Sequence, residues 1–348
     1  MPILNKKKFL FIAVAVLLII AAAAGIHYYL YIFRPNVSLE NNKKSEFLYI
    51  PTGATFSSVF DSLSRHHYLK NPKSFTWLAE KRNYPDQVKP GRYRIREGMS
   101  NLDLVRLLLS GKQEPVMVVF NNIRTKEDLA GKISRQIEAD SVSLLNLLND
   151  PDYLAEFNAT PSTVFRLFIP NSYEFYWNTS ANSFIRRMVK EMKIFWTDKR
   201  IEKASVTGFT IDQVVTLASI VEKETNRNSE KPVIAGVYIN RLHRDMPLQA
   251  DPTLIFAMND YTIKRVREEH KHIVSPYNTY LNKGLPPGPI CLPSISSIDA
   301  VLDYKKHNFI YFCAREDLSG YHVFAVTFEE HTRNAARYRA MLNKMNIH

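Results

Sequence analysis

The sequence predicts an α+β protein behind a single N-terminal apolar helix, and three observations carry that prediction. Residues Phe9 to Phe33 contain no Asp, Glu, Lys or Arg. From Glu46 onward, short β-branched or aromatic runs alternate with helix-period segments and no internal repeat is evident. The segment opening at Thr210 is helical in period and brings a carboxylate, Glu224, onto its apolar side. With 348 residues and 45% hydrophobic content, the chain has material for more than one unit. A modest antiparallel sheet and helices, one of them bearing the acid, are expected.

The apolar run is long enough for a hydrocarbon core of about 30 Å. Residues 1–8 then form a cytoplasmic tail containing Lys6-Lys7-Lys8, and residues 9–33 a transmembrane helix. Tyr28, Tyr29 and Tyr31 fit an aromatic belt on the far side, so everything after Arg34 is expected outside the cytoplasm. A cleaved signal peptide is the competing reading, since Ala21 to Gly25 are small residues. Apolar sequence continuing past them favours retention. Residues 34–45, mostly polar, read as a linker.

Residues 46–115 give the order strand, helix, helix, strand, helix. The strands are Phe47 to Ile50 and Gly91 to Ile95, and the helices Thr55 to Ser64, Pro72 to Lys81 and Leu102 to Leu109, the last closed by Ser110-Gly111. Val116 to Phe120 is a β-branched strand, and Thr125-Lys126-Glu127-Asp128 starts another helix. Tyr173, Phe175, Tyr176 and Trp177 suit either a sugar groove or a core. Phe309 to Phe312 and Tyr321 to Ala325 read as a hairpin around Ser319-Gly320 with a packing role, and Glu329 to Lys344 as a final helix with Tyr338 and Met341 on its apolar face.

Thr210 and Gln213 make a capping-box start, after which Val214, Leu217, Ala218 and Val221 follow the spacing of one buried face. The series continues to Glu224 and Thr225. Glu222 is turned roughly 160° from Glu224, at about 100° per residue, so the two cannot act side by side. A buried, unpaired Glu224 would hold its proton near neutral pH and donate it to a leaving group, as cleavage of a glycosidic bond requires. Around it, Asn240 suits a sugar N-acetyl or hydroxyl group or a helix cap, and Arg241 a carboxylate. Gln249 and Asp251 precede Pro252 in a turn, where Asp commonly organises its own backbone. Tyr277, Asn278 and Tyr280 sit before the rigid Pro286-Pro287-Gly288-Pro289 loop, suited to walling a cleft.

The runs Ala218-Ser219-Ile220-Val221-Glu222-Lys223-Glu224-Thr225, Val237-Tyr238-Ile239-Asn240-Arg241-Leu242 and Leu248-Gln249-Ala250-Asp251-Pro252-Thr253 resemble those of the endolytic murein transglycosylase family, also called MltG or YceG-like. Tyr277-Asn278-Thr279-Tyr280 and Gly284-Leu285-Pro286-Pro287-Gly288 follow in the same order. The resemblance is strongest between Thr210 and Pro293. It implies cleavage between N-acetylmuramic acid and N-acetylglucosamine in peptidoglycan without water, the muramic 6-hydroxyl closing a 1,6-anhydro end. The family motif places the acid/base at Glu224, and the match favours a site role for Gln249; Thr225, Asn240, Arg241, Asp251, Tyr277, Asn278 and Tyr280 are the further candidate substrate contacts. It also implies a LysM-like module over 46–115, whose best matched piece is Lys89-Pro90-Gly91-Arg92-Tyr93, a catalytic domain over 116–348, and work beside wall-synthesising enzymes at the bacterial inner membrane. Near Pro170 the chain departs from the family pattern: Phe165-Arg166 replaces an acid-Gly pair and Asn171 stands where Asp is common.

Cys291 and Cys313 are too few for a disulfide framework or a common metal site, and His243, His270 and His272 show no metal-binding spacing, so neither metal nor cofactor is expected. The net charge of +12 comes without a nucleic-acid-binding signature and suits a surface facing anionic lipid and wall carboxylates, or one merely solvated. Two further readings stay open: a muramidase using water, with Asp251 as second carboxylate, and a non-catalytic glycan-binding scaffold.

Overall fold

The computed structural model describes residues 6–263 and 265–345 and is a mixed α+β protein. Residues 1–5 of the expected cytoplasmic tail lie outside the described residues. Helix α1 (Lys6–Phe33) is long and apolar enough to cross a membrane. The chain divides into two compact units, Met1–Met117 with Glu174–Thr179, and Val118–Tyr173 with Ser180–His348.

In the first unit, β1 (Ser45–Ile50) is followed by α2 (Phe56–Arg65), α3 (Pro72–Lys81), β2 (Gly91–Arg96) and α4 (Asn101–Ser110). The predicted order is present. β1 and β2 pair antiparallel, with Ser45 opposite Arg96 and Ile50 opposite Gly91. Alternate residues turn inward, so Leu48, Ile50, Tyr93 and Ile95 meet Val59, Leu63, Phe75, Leu78, Leu104 and Leu108 in one core. Local chemistry sets the helix ends. Asn71 caps α3 ahead of Pro72, Ser100 and Asp103 form a capping box on α4, and Gly111 closes α4 at φ 68°.

The segment read as a linker is built into this unit. Asn36 and Val37 are buried, Val37 bridges to Leu69, and Pro35 bridges to Ser100. The side-chain amide of Asn36 donates to Asn71 O (3.1 Å) and to Asn101 Oδ1 (2.6 Å), and that of Asn101 donates to Tyr31 O (2.7 Å). Composition misled here because these polar side chains bond one another instead of water.

The bounds of the second unit fall within β3 (Val116–Phe120) and β4 (Asn171–Phe175), which pair with each other, and α5 (Lys126–Ser134), α6 (Ser141–Asn149) and α7 (Pro151–Ala155) lie between them in the chain. Tyr173 is a core residue, stacked on Phe120 at 5.7 Å with its hydroxyl donating to Ile169 O. Then come α8 (Ala181–Phe195), α9 (Asp198–Thr207), α10 (Ile211–Glu224), α11 (Lys231–His243), α12 (Asp251–Met258), α13 (Ile295–Leu302), β5 (Tyr311–Ala314), β6 (His322–Ala325) and α14 (Phe328–Lys344). The strands occur only in pairs among the described residues.

α10 is the axis of this unit. Val214 to Val221 are all buried, and the helix packs on α9, α11, α12 and α13. Thr210 and Gln213 form the capping box expected at its start. Ser219 accepts from Ile290 N (2.9 Å), tying the proline-rich loop to the helix. α11 lies so close to the segment between α13 and β5 that a Cβ at Gly236 would stand 2.5 Å from Lys305 O, a position open only to glycine. Arg166, where the chain departs from the family pattern, pairs with Asp212 at 2.7 Å, and Phe165 beside it is buried.

Candidate active site

Glu224 is the last residue of α10, and the helix ends there because Thr225 turns to extended backbone. Contrary to the expectation of a buried, unpaired acid, the carboxyl is only partly buried, at the floor of a cleft, and it has a partner. The hydroxyl of Tyr238, from α11, donates to Glu224 Oε1 at 2.6 Å. Tyr238 is 2% exposed, with its ring edge against Phe312 at 5.8 Å, so the donor is fixed. The cleft measures about 280 Å³.

Electrostatics favour the protonated acid. Desolvation by surrounding protein pushes the Glu224 pKa up to about 7; the charge of Asp251 adds to the rise and the Tyr238 hydrogen bond opposes it. The negative end of the α10 dipole acts in the same direction as the burial. Glu222, two residues earlier, sits in a different environment. Burial pushes its pKa up, but hydrogen bonds from Ser294, Ser297 and Lys231 outweigh that and hold it below the usual carboxylate range.

Arg241, one turn after Tyr238, is 7% exposed and spans the cleft wall. Its guanidinium donates to Pro247 O (2.9 Å), Ile310 O (3.3 Å) and Gln249 Oε1 (2.5 Å). None of these partners is an acid. Gln249 is held at φ 52°, a left-handed conformation unusual for a residue with a Cβ, and its backbone N donates to Thr279 O. Asp251 opens α12, and its Oδ1 accepts from the Tyr280 hydroxyl at 2.5 Å.

The structure thus brings Arg241, Gln249, Asp251 and Tyr280 into one cleft with Glu224. It places the other four candidates elsewhere. Thr225 is buried, accepting from Arg227 N and donating to Glu230, which in turn accepts from His322 N (2.7 Å); it builds the turn after α10. Asn240 neither caps a helix nor faces the cleft: its amide donates to His307 O (2.7 Å) and Phe309 O (2.9 Å) and fixes the approach to β5. Asn278 is fully buried, donating to Lys271 O and Ile273 O while accepting from Tyr280 N. Tyr277 packs on Phe256 at 4.7 Å and lines a separate groove with Arg124 and Tyr261.

The cleft also has lining residues that the sequence analysis did not single out: Tyr238, Leu248, Tyr311, Phe312, Phe328 and His331. Tyr238 was detectable, because it lies at i−3 from Arg241 on the same face of α11. Leu248 precedes α12, Tyr311 and Phe312 come from the β5–β6 hairpin, to which the sequence gives only a packing role, and Phe328 and His331 from the first turn of α14; no local pattern marks which side of a hairpin meets a distant helix end. Cys291 is a buried free thiol and Cys313 a partly buried one.

The model of the YceG-like family matches residues 48–337. This chain belongs to the YceG-like family. It is 28% identical over 334 residues to a protein of Streptococcus pneumoniae (strain D39) named endolytic murein transglycosylase, covering 86% of this chain and 59% of that one. A Bacillus subtilis protein of the same name is 26% identical over 321 residues, 88% of each chain. The chain thus spans about three fifths of the length of the streptococcal relative. A crystal structure of a YceG-like protein from Listeria monocytogenes is similar with a TM-score of 0.55 and 28% identity, over 84% of this chain and 99% of that one. The Glu224 cleft of this YceG-like chain lies wholly inside the matched span.

Proposed function

We propose that the chain is a membrane-anchored endolytic lytic transglycosylase that cleaves the bond between N-acetylmuramic acid and N-acetylglucosamine in peptidoglycan strands and leaves 1,6-anhydro ends. One observation carries the reading: Glu224 lines a cleft with its pKa raised to about 7, while the other carboxyl of that cleft, Asp251, is engaged by the Tyr280 hydroxyl. The names of its relatives agree with it.

In this mechanism Tyr238 holds Oε1, and Oε2 carries the proton toward the departing sugar oxygen. The glycosidic bond breaks as that proton transfers. The resulting carboxylate then takes the proton of the muramic 6-hydroxyl as its oxygen bonds to the anomeric carbon, so Glu224 ends as it began. The internal hydroxyl outcompetes water because it is already in place, with effective concentrations far above any solvent nucleophile. Arg241, Gln249, Asp251 and Tyr280 position the sugars. Tyr311 and Phe328 offer apolar faces to pyranose rings.

The anchor in this reading is α1, with the rest of the chain outside the inner membrane and wall-synthesising enzymes as neighbours. Residues 46–115 act as a LysM-like module that holds glycan and raises local substrate concentration. A muramidase is the second reading, because Asp251 lines the same cleft as Glu224. Digestion of peptidoglycan by the full chain in detergent, in water enriched in heavy oxygen, separates the two. Unlabelled anhydro ends are expected; labelled reducing ends as the main product overturn the proposal in favour of the muramidase.

A further inference from the structure

Far from Glu224 in the sequence, the first unit holds a cavity of about 440 Å³ where α1 ends. Its floor is polar: Asn36, Ser74 and Asn101 are buried there and bonded to one another or to backbone, as in the Asn101 amide donating to Ser74 Oγ at 2.9 Å. Such a network costs desolvation and fixes the floor in shape. Its mouth is cationic. Arg34 has no side-chain partner among the described residues, and Lys70 reaches Glu97 only at 3.8 Å, with both side chains about half exposed. An exposed pair of that kind contributes little, so both cations are available. The Asn71 side-chain oxygen accepts from Ser74 N, while its NH₂ has no partner among the described residues.

The depth of the cavity follows from helix geometry. The 25 uncharged residues from Phe9 to Phe33 rise about 37 Å, against a hydrocarbon core of about 30 Å. The last turn of α1 and Arg34 therefore emerge into the headgroup layer. The aromatic residues agree: Trp77, on α3, stacks on Tyr28 at 5.3 Å and meets Tyr31 edge-on at 6.0 Å, forming a belt that includes the folded unit itself.

We propose that this cavity binds the phosphate of a membrane phospholipid headgroup, with Arg34, Lys70 and the Asn71 amide as its donors and anionic lipids preferred. This rests on the reading of α1 as a membrane span. The bound lipid fixes the height of the first unit above the bilayer, and with it the depth at which the unit meets its substrate.

The test uses the full chain in nanodiscs containing phosphatidylglycerol and phosphatidylcholine, with retained lipid counted by native mass spectrometry after gentle release. Wild type is expected to keep one phospholipid, phosphatidylglycerol in preference. Arg34→Gln with Lys70→Gln should lower that retention roughly tenfold or more, since two charge-assisted contacts are lost. Asn71→Asp, which still caps α3 but puts a negative charge in the cavity, should do the same. Lys81→Gln with Arg82→Gln, an equal loss of charge at the other end of α3, should retain lipid as wild type does. Unchanged retention in the pocket variants, equal loss in the control, or no retained lipid in wild type overturns the proposal. So does occupation of the delipidated protein by inorganic phosphate as readily as by lipid. Carbonate washing of membranes tests the span separately: all variants stay in the pellet if α1 crosses the bilayer.

Discussion

Glu222 and Glu224 share the last turn of α10 but face different parts of the second unit. Glu222 Oε2 accepts from Lys231 Nζ (3.0 Å), Ser294 Oγ (2.5 Å) and Ser297 Oγ (2.5 Å), joining α10, α11 and α13 at one point. Glu224 has one phenol and an open cleft. Several donors stabilise the charged form of the first; desolvation stabilises the neutral form of the second. The same residue type is thus held as an anion in one place and biased toward its protonated form in the other, according to how many donors surround it.

The largest separation between them should appear in catalysis. Glu224→Gln is expected to lower glycan cleavage by about 10²–10⁴-fold or more with the fold intact, because the amide cannot cycle a proton. Cleavage is measured as anhydro ends released by each purified variant. A Glu224→Gln protein that still cuts at a substantial fraction of the wild-type rate removes the mechanism.

Glu222→Gln should show the reverse. Lys231 is 4% exposed, and neutralising its partner leaves an ammonium without a counter-charge, at a cost of about 2–4 kcal/mol after allowing for the partial exposure of Glu222. Denaturant unfolding measures this, and the fraction that remains folded should still cut. Unchanged stability would mean that the Lys231 pair contributes nothing, and the contrast between the two glutamates would then rest on Glu224 alone.

How far this contrast was legible in the sequence depends on range. The capping box at Thr210, the apolar face leading to Glu224 and the strand over Val116 to Phe120 were readable because each is set by neighbours within a turn or a few residues. The Tyr238 hydrogen bond was not, since it depends on how α11 returns beside α10. Asn240 and Asn278 show how a motif position leaves two readings open. Their motif positions suggested substrate contacts, yet their amides tie loops to helices, and a buried polar side chain used for backbone bonding reads the same in sequence as one aimed at a ligand. Asn36, within the segment read as a linker, is buried and bonded to Asn101 and reads as a solvated residue for the same reason.

Tyr238→Phe tests the electrostatic side of the comparison by a smaller step. Its hydroxyl lowers the Glu224 pKa, so its removal should move the alkaline fall in kcat/KM to higher pH. The maximal rate should drop by about tenfold as the carboxyl loses its orientation. A merely structural tyrosine would change the rate without moving the pH profile, and that result would deny the coupling.

The smallest expected effect is on stability. In the unfolded chain Glu224 releases its proton near the ordinary 4.5, and in the folded chain near 7. Between these values the native state binds more protons than the unfolded one, so this group's contribution to stability falls as pH rises through that window and is lowest above 7. Glu224→Gln has no such ionisation, while Gln Oε1 can still accept from Tyr238. Other titrating groups are common to the two proteins and cancel in the difference. Because the carboxyl faces an open cleft, water moderates the penalty, and the expected gain is about 1–2 kcal/mol, or a few degrees in melting temperature. Scanning fluorimetry at pH 8 should therefore find Glu224→Gln melting above wild type, with the gap closing toward pH 5. A variant that melts below wild type at pH 8, or a gap of one size at both pH values, would mean that Glu224 ionises as an ordinary carboxyl, and the proton carrier would have to be sought elsewhere in the cleft.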